Sequence, residues 1–210
     1  FIDEKSEEIA LVSVMAANNE TGVIQPYEKV GELCHQANIL FLCDTTQILG
    51  KNSFSFKESQ ADFITVSGHK LGALPGVGAL IIKKPEDFHP TIHGGNQENG
   101  LRGGTQNYIG VETIRVAMED ILNSEDCLQK VKSIRDRFEK TLREKFPNIQ
   151  FFGEEVKRIA NTSFLSLPGT TASDIQDELQ MRKIFVTTSS ACSDQKGQQS
   201  RVLSKMNIEP

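Results

Sequence analysis

The feature that most constrains the fold is a repeated alternation, in which a short apolar run stops at a polar cluster, a segment with helical spacing follows, and another apolar run begins. Glu8 to Met15 is nearly continuous in apolar character, which predicts a strand buried on both faces of a parallel sheet. Tyr27 to Ala37 carries Val30, Leu33 and Cys34 at helical spacing, and Pro26 stands just before it, where a first-turn proline is tolerated. That segment predicts a crossover helix. Ile39 to Cys43 predicts a second strand ending at Asp44, Ala61 to Val66 a third ending at Ser67-Gly68-His69-Lys70, and Gly76 to Ile82 a further one. Strand, helix and strand in this order argue for an α/β layer architecture, in which ligands sit beyond the carboxyl ends of the strands.

The pattern changes in the second half. Ile114, Ala117, Met118, Ile121 and Leu122, then Val131, Ile134, Phe138 and Leu142, recur every three or four residues, which predicts two helices or one interrupted helix from Val111 to about Lys145. Asn161 to Leu167 and Ile184 to Val186 read as strands flanking a helix over Ala172 to Met181. Together they predict a smaller α+β domain, with the boundary in the region of residues 108 to 115.

Composition narrows the function classes. The 210 residues carry a formal charge of −5, without the basic excess expected of a protein that binds nucleic acid or an anionic membrane surface. No apolar run approaches the roughly 20 residues needed to span a bilayer, and Phe1 to Lys5 lacks the charged-then-apolar profile of a signal peptide. These features predict a cytoplasmic protein, or one of an organelle matrix if the parent is eukaryotic. Cys34, Cys43, Cys127 and Cys192 are widely separated, with no C-x-x-C pair and no histidine at metal-ligand spacing, so neither a metal site nor a disulfide framework is expected. The first residue is not Met and the chain stops soon after a helical pattern; both ends read as breaks inside a longer protein.

Ser67-Gly68-His69-Lys70 is the first cluster with chemical content. A lysine at a strand end, among small and glycine-rich neighbours, is well placed to hold an aldehyde cofactor as a Schiff base, although a solvated lysine in a glycine loop has the same local sequence. Asp44, at the end of the preceding strand, is the type of carboxylate that keeps a pyridine nitrogen protonated. Asn18-Asn19-Glu20-Thr21-Gly22, Asp44-Thr45-Thr46-Gln47 and Ser67-Gly68-His69-Lys70 each directly follow a strand candidate, and an α/β sheet brings such clusters to one edge. With His93-Gly94-Gly95-Asn96-Gln97-Glu98, Leu101-Arg102-Gly103-Gly104-Thr105 and Ser189-Ser190-Ala191-Cys192-Ser193, the chain resembles, over essentially its whole length, the NifS-like cysteine desulfurases of the class V aminotransferase group, which are fold-type I pyridoxal-phosphate (PLP) enzymes.

The resemblance implies part of a PLP-binding large domain with a mostly parallel sheet over residues 1–112, and part of a small C-terminal domain with a catalytic-cysteine loop over residues 113–210. It implies that Lys70 carries the cofactor and moves the proton between substrate carbon and cofactor. Asp44 pairs with the pyridinium nitrogen, Gln47 faces the phenolic oxygen, Asn19 sits near the ring and substrate, and Ser67 and His69 bind the phosphate. Thr105 reaches the phosphate of the other subunit of a homodimer, whereas His93 reads either as a loop histidine or as a catalytic one. Cys192 lies in a stretch, Thr187 to Gln199, rich in Ser, Thr, Gln, Lys and Gly, a composition suited to an exposed loop rather than to burial. In the family such a thiolate attacks the sulfur of the substrate L-cysteine, leaving an enzyme persulfide and releasing L-alanine. The sulfur passes to an acceptor protein, a scaffold or a carrier, for iron–sulfur cluster assembly or thiolation. Cys34 and Cys43 are assigned to the core and Cys127 to no chemical role.

Departures are local. Leu71-Gly72-Ala73-Leu74-Pro75-Gly76 lacks the lysine of the family's Gly-Pro-Lys-Gly turn, while its glycines and a proline remain. The family's ring-stacking histidine and carboxylate-binding arginine are not identified in this sequence, Arg201 following Cys192 too closely to be assigned as that arginine, and low activity is expected of the 210 residues alone. Two alternatives stand beside the desulfurase: a selenocysteine lyase or another class V enzyme that uses Lys70 but not Cys192, and a non-catalytic interaction protein of the same fold.

Overall fold

The computed structural model describes residues 2–188 and 200–206. Cys192 and the rest of its motif lie outside the described residues. The chain divides into two compact units, one of residues 1–17 and 24–129, the other of residues 18–23 and 130–210.

The first unit contains α1 (Ile2–Lys5), β1 (Leu11–Met15), α2 (Tyr27–Gln36), β2 (Leu40–Asp44), α3 (Phe56–Ser59), β3 (Phe63–Ser67), α4 (Gly68–Leu71), β4 (Gly78–Ile82) and α5 (Tyr108–Leu122). Its sheet has the order β1-β2-β3-β4. β1, β2 and β3 run parallel, whereas β4 returns antiparallel to β3. The molecule is therefore α/β with a mostly parallel sheet, as the alternation predicts. α2 buries Tyr27, Gly31 and Cys34, one stripe of a helix. Gly31 is required by the approach: a Cβ there would overlap the Ser59 carbonyl oxygen and come within 3.2 Å of Phe41. The short α3 starts at Ser55, whose hydroxyl accepts the Glu58 N–H at 3.2 Å.

Strand register separates the two faces of this sheet. Leu11 pairs with Leu40, Leu42 with Phe63 and Thr65 with Leu80, so one face carries Leu11, Met15, Leu40, Leu42, Asp44, Phe63, Thr65, Ser67, Leu80 and Ile82. The opposite face carries Phe41, Cys43 and Ile64, all buried. β1 is not buried on both faces as its apolar run predicts. Leu11 and Met15 are 45% and 41% exposed, with Leu40 and Leu80 on the same face at 49% and 43%. A continuous apolar run records that both faces suit burial; whether both are covered depends on what packs there.

The second unit takes residues 130 onward of α6 (Glu125–Lys145), the antiparallel pair β5 (Gln150–Phe151) and β6 (Leu165–Ser166), α7 (Ala172–Met181) and α8 (Arg201–Lys205). The long periodic stretch is thus two helices, α5 and α6. α7 starts where the pattern places it, with the Thr171 hydroxyl accepting the Asp174 N–H at 3.2 Å. Ile184 to Val186, read as a strand, is not one: these residues are exposed and pair with no strand among the described residues. Three apolar residues in a row satisfy strand propensity, but a strand exists only where a ladder partner lies beside it. Burial in this unit centres on Phe151, Phe152, Ile159 and Ala160. The Arg158 guanidinium meets both carboxylate oxygens of Glu139 at 2.9 and 3.0 Å.

Candidate active site

The parallel strands place their carboxyl ends together, with Met15 opposite Asp44 and Asp44 opposite Thr65. The backbone beyond β1 stays in register, the Ala16 N–H donating to the Asp44 carbonyl at 2.8 Å. Asp44 closes β2, and consecutive turns over residues 45–51 follow it, with the Ile48 and Leu49 N–H groups both donating to the Thr45 carbonyl. These turns lift Gln47 and Lys51 out of the strand direction. Ser67 closes β3, and the chain bends at once into α4, which carries His69 and Lys70. α4 stops after one turn because Gly72 takes the left-handed φ of 101°.

The Asp44 carboxylate collects hydrogen-bond donors. The Thr65 hydroxyl donates to Asp44 Oδ1 at 2.7 Å and the Thr46 N–H donates to the same oxygen at 3.0 Å. Burial by itself would raise the carboxyl, but the hydrogen bonds from Thr46 and Thr65 outweigh it and hold Asp44 below the ordinary carboxylate value. The Thr45 hydroxyl donates to the Thr65 carbonyl, and the Thr46 and Thr65 hydroxyls lie 3.4 Å apart, so three threonines frame the carboxylate.

A second group forms around Gln47. Lys51 Nζ donates to Gln47 Oε1 at 3.1 Å. Burial lowers the Lys51 ammonium below the usual lysine value, and the nearby positive charge of Lys70 adds to that. Lys70 is exposed and has no carboxylate within ion-pair distance among the described residues. Ser67 Oγ and His69 Nδ1 lie 3.0 Å apart, giving a hydroxyl and an imidazole on the turn that bears the lysine.

Two other predicted residues lie on loops. Asn19 is exposed on the loop 18–23, which belongs to the second unit and is ordered by Asn18, whose Oδ1 accepts the Glu20 and Thr21 N–H groups at 2.9 and 3.0 Å. Thr105 is exposed. Before it, the loop folds on itself: Gly103 N–H donates to the Ile92 carbonyl at 2.8 Å, and a Cβ at Gly103 would collide with the His93 backbone at 2.7 Å. Cys192 lies outside the described residues. Cys34 and Cys43 are buried, and burial followed by the charge of Asp44 pushes the Cys43 thiol up to about 12; Cys127 is exposed.

Sequence reasoning missed Thr65 and Lys51. Thr65 could have been found from period-two alternation, since it shares a strand face with Ser67 and faces Asp44 across the ladder. Lys51 carries no such signal, because its distance to Gln47 depends on the turns of residues 45–51.

The model of class-V aminotransferases matches residues 2–206. The chain belongs to the class-V aminotransferase family. A cysteine desulfurase of Sinorhizobium fredii is 36% identical over 210 residues, covering 98% of this chain and 54% of that protein. The cysteine desulfurase IscS of Ehrlichia chaffeensis is 36% identical over 211 residues, covering 97% and 50%. Among solved structures, a NifS-like protein from Rickettsia africae superposes with a TM-score of 0.85 at 29% identity, covering all of this chain and 57% of that one. The chain spans about half the length of the curated relatives it matches.

Class-V aminotransferases generally use PLP, and the residues beyond β2 and β3 fit that group. A pyridine nitrogen that must stay protonated needs a carboxylate that stays ionised, which the donors to Asp44 provide. An aldehyde needs an amine not sequestered in an ion pair, which Lys70 offers. A phosphate needs donors such as the Ser67 hydroxyl and the His69 imidazole.

Proposed function

We propose that the protein is a PLP-dependent cysteine desulfurase, taking sulfur from L-cysteine as a persulfide on Cys192 and releasing L-alanine. The observation that carries this reading is the Asp44 carboxylate held by donors from Thr46 and Thr65 at the sheet edge where Lys70 has no ion-pair partner among the described residues. The relatives named cysteine desulfurase, and a neighbour solved in complex with cysteine, TM-score 0.77 at 26% identity, support the substrate. PLP when bound supplies an electron sink that withdraws charge from the substrate's α-carbon.

The protein's own residues supply the rest. Asp44 holds the proton on the ring nitrogen. Lys70 holds the cofactor, and its amine takes and returns the proton at the substrate's α-carbon. Gln47 donates to the phenolic oxygen, and Ser67 and His69 hold the phosphate. Asn19, near ring and substrate, and Thr105, at the phosphate of the second subunit of a homodimer, are assigned on the family resemblance. The Cys192 thiolate attacks the substrate sulfur: a sulfur–sulfur bond forms, the carbon–sulfur bond breaks, and the electron pair left on carbon is protonated to give alanine. The persulfide's outer sulfur then passes to a thiol or scaffold acceptor for iron–sulfur cluster assembly or thiolation. Among the described residues no helix is long and apolar enough to cross a membrane, and the reading places the protein in the cytoplasm or an organelle matrix.

The test uses two variants in the protein at full length. Lys70→Ala should abolish the visible absorption of bound PLP. Cys192→Ala should keep that absorption and lose sulfide and alanine production from cysteine. Unchanged turnover in Cys192→Ala points to a lyase that dispenses with the thiol, and absence of any coloured species in the wild type points to a binding protein.

A further inference from the structure

Lys51 lies outside the residues that the family resemblance assigns to the site, yet it touches one of them. Its ammonium sits 3.1 Å from the Gln47 side chain, and its environment combines burial with the positive charge of Lys70. A lysine ammonium carries three donors and no acceptor. The atom of Gln47 that meets it must therefore be the amide oxygen, whichever way an amide is placed in a structure. The amide nitrogen makes no hydrogen bond among the described residues, so both of its N–H donors remain available.

We propose that Lys51 is a positioning residue that fixes the orientation of the Gln47 amide, so that the site presents an N–H donor and not a carbonyl oxygen to the anionic phenolic oxygen of the cofactor. The inference rests on the PLP reading of the site. Without Lys51 the amide can turn over, and a carbonyl oxygen facing an oxyanion repels it. A half-buried ammonium held on Gln47 also adds positive charge on the side where the cofactor's negative charge collects, which favours the anion. The turns of residues 45–51 serve the same end, since they bring Lys51 back onto Gln47 four positions earlier.

The experiment compares wild type, Lys51→Met, Lys51→Gln and Lys51→Arg, each also in a Gln47→Ala background, in the full-length protein. PLP is titrated into cofactor-free protein, and its dissociation constant and the position of its visible absorption band are read. Lys51→Gln is the decisive variant, because it keeps a polar side chain of similar reach while offering an acceptor as well as donors. About a tenfold weaker PLP affinity and a displaced band are expected for Lys51→Gln and Lys51→Met, with Lys51→Arg close to wild type and no further loss when Gln47 is already alanine. Unchanged affinity and band in Lys51→Gln, or an equal loss in the Gln47→Ala background, overturns the proposal while leaving the reading of the site intact. A wild-type protein that takes up no PLP overturns that reading and this inference with it.

Discussion

Asp44 shows how a residue's neighbours set its chemistry. It would titrate as an ordinary half-buried carboxylate but for Thr46 and Thr65, whose hydrogen bonds lower its pKa against the opposing effect of burial. Thr65→Val removes the hydroxyl at 2.7 Å and should cost about 1.5 kcal/mol of stability at neutral pH, the lower end of the range for hydrogen bonds to charged groups because the site is partly solvated. The sign of the pH dependence follows from the direction of the shift. A folded pKa below the unfolded value of about 3.9 gives stability that is complete above about pH 5 and lost as pH falls through the folded value. Urea unfolding at pH 7 and at pH 3 should show the gap between wild type and Thr65→Val narrowing at the lower pH. Cysteine reactivity divides in the same way. Cys43, with its thiol pushed up to about 12, and the buried Cys34 should resist alkylation at pH 8 in the native protein, while the exposed Cys127 is modified. Peptide mass spectrometry after a short iodoacetamide pulse reads this directly.

At the scale of elements, packing reverses an intrinsic preference in α2. Alanine is the better helix former by about 1 kcal/mol, so Gly31→Ala would stabilise the helix in isolation. Within the fold its Cβ would overlap the Ser59 carbonyl oxygen of α3, and backbone cannot move aside as a flexible side chain can. The substitution should destabilise the protein by about 3 kcal/mol, the upper end of ordinary overpacking, as measured by a lower urea midpoint with an unchanged slope. The ion pair between α6 and residue 158 argues similarly. Arg158 and Glu139 are 7% and 9% exposed, and Arg158 also bridges to Val23 through its backbone. Arg158→Met alone leaves a buried carboxylate without its bidentate partner and should cost about 3–5 kcal/mol, whereas Arg158→Met with Glu139→Leu should recover most of that loss. Thermal melting of both variants separates the cost of breaking the pair from the value of having it.

For the whole molecule, the sheet presents an open apolar face. Leu11, Met15, Leu40 and Leu80 lie on one face and are each more than two-fifths exposed. Expressed as these 210 residues, the protein should bind an apolar dye such as ANS and self-associate with rising concentration. Leu11 and Leu40 are direct ladder partners, so replacing both with threonine keeps strand preference while removing apolar area. Dye fluorescence and light scattering should both fall.

The sequence by itself determined the α/β alternation, the strand ends at Asp44 and Ser67, the burial of Cys34 and Cys43, and the chemical types gathered at the sheet edge. Those properties follow from periodicity and residue type, which are local. The tertiary structure decided what depends on neighbours distant in the chain: that Thr65 holds Asp44 ionised across the ladder, that one face of β1 stays exposed, and that Ile184 to Val186 has no strand beside it. It also decided the contact between Lys51 and Gln47, because their i,i+4 spacing makes them neighbours only where the backbone turns helically, and the turns beyond β2 bring the ammonium to the amide oxygen.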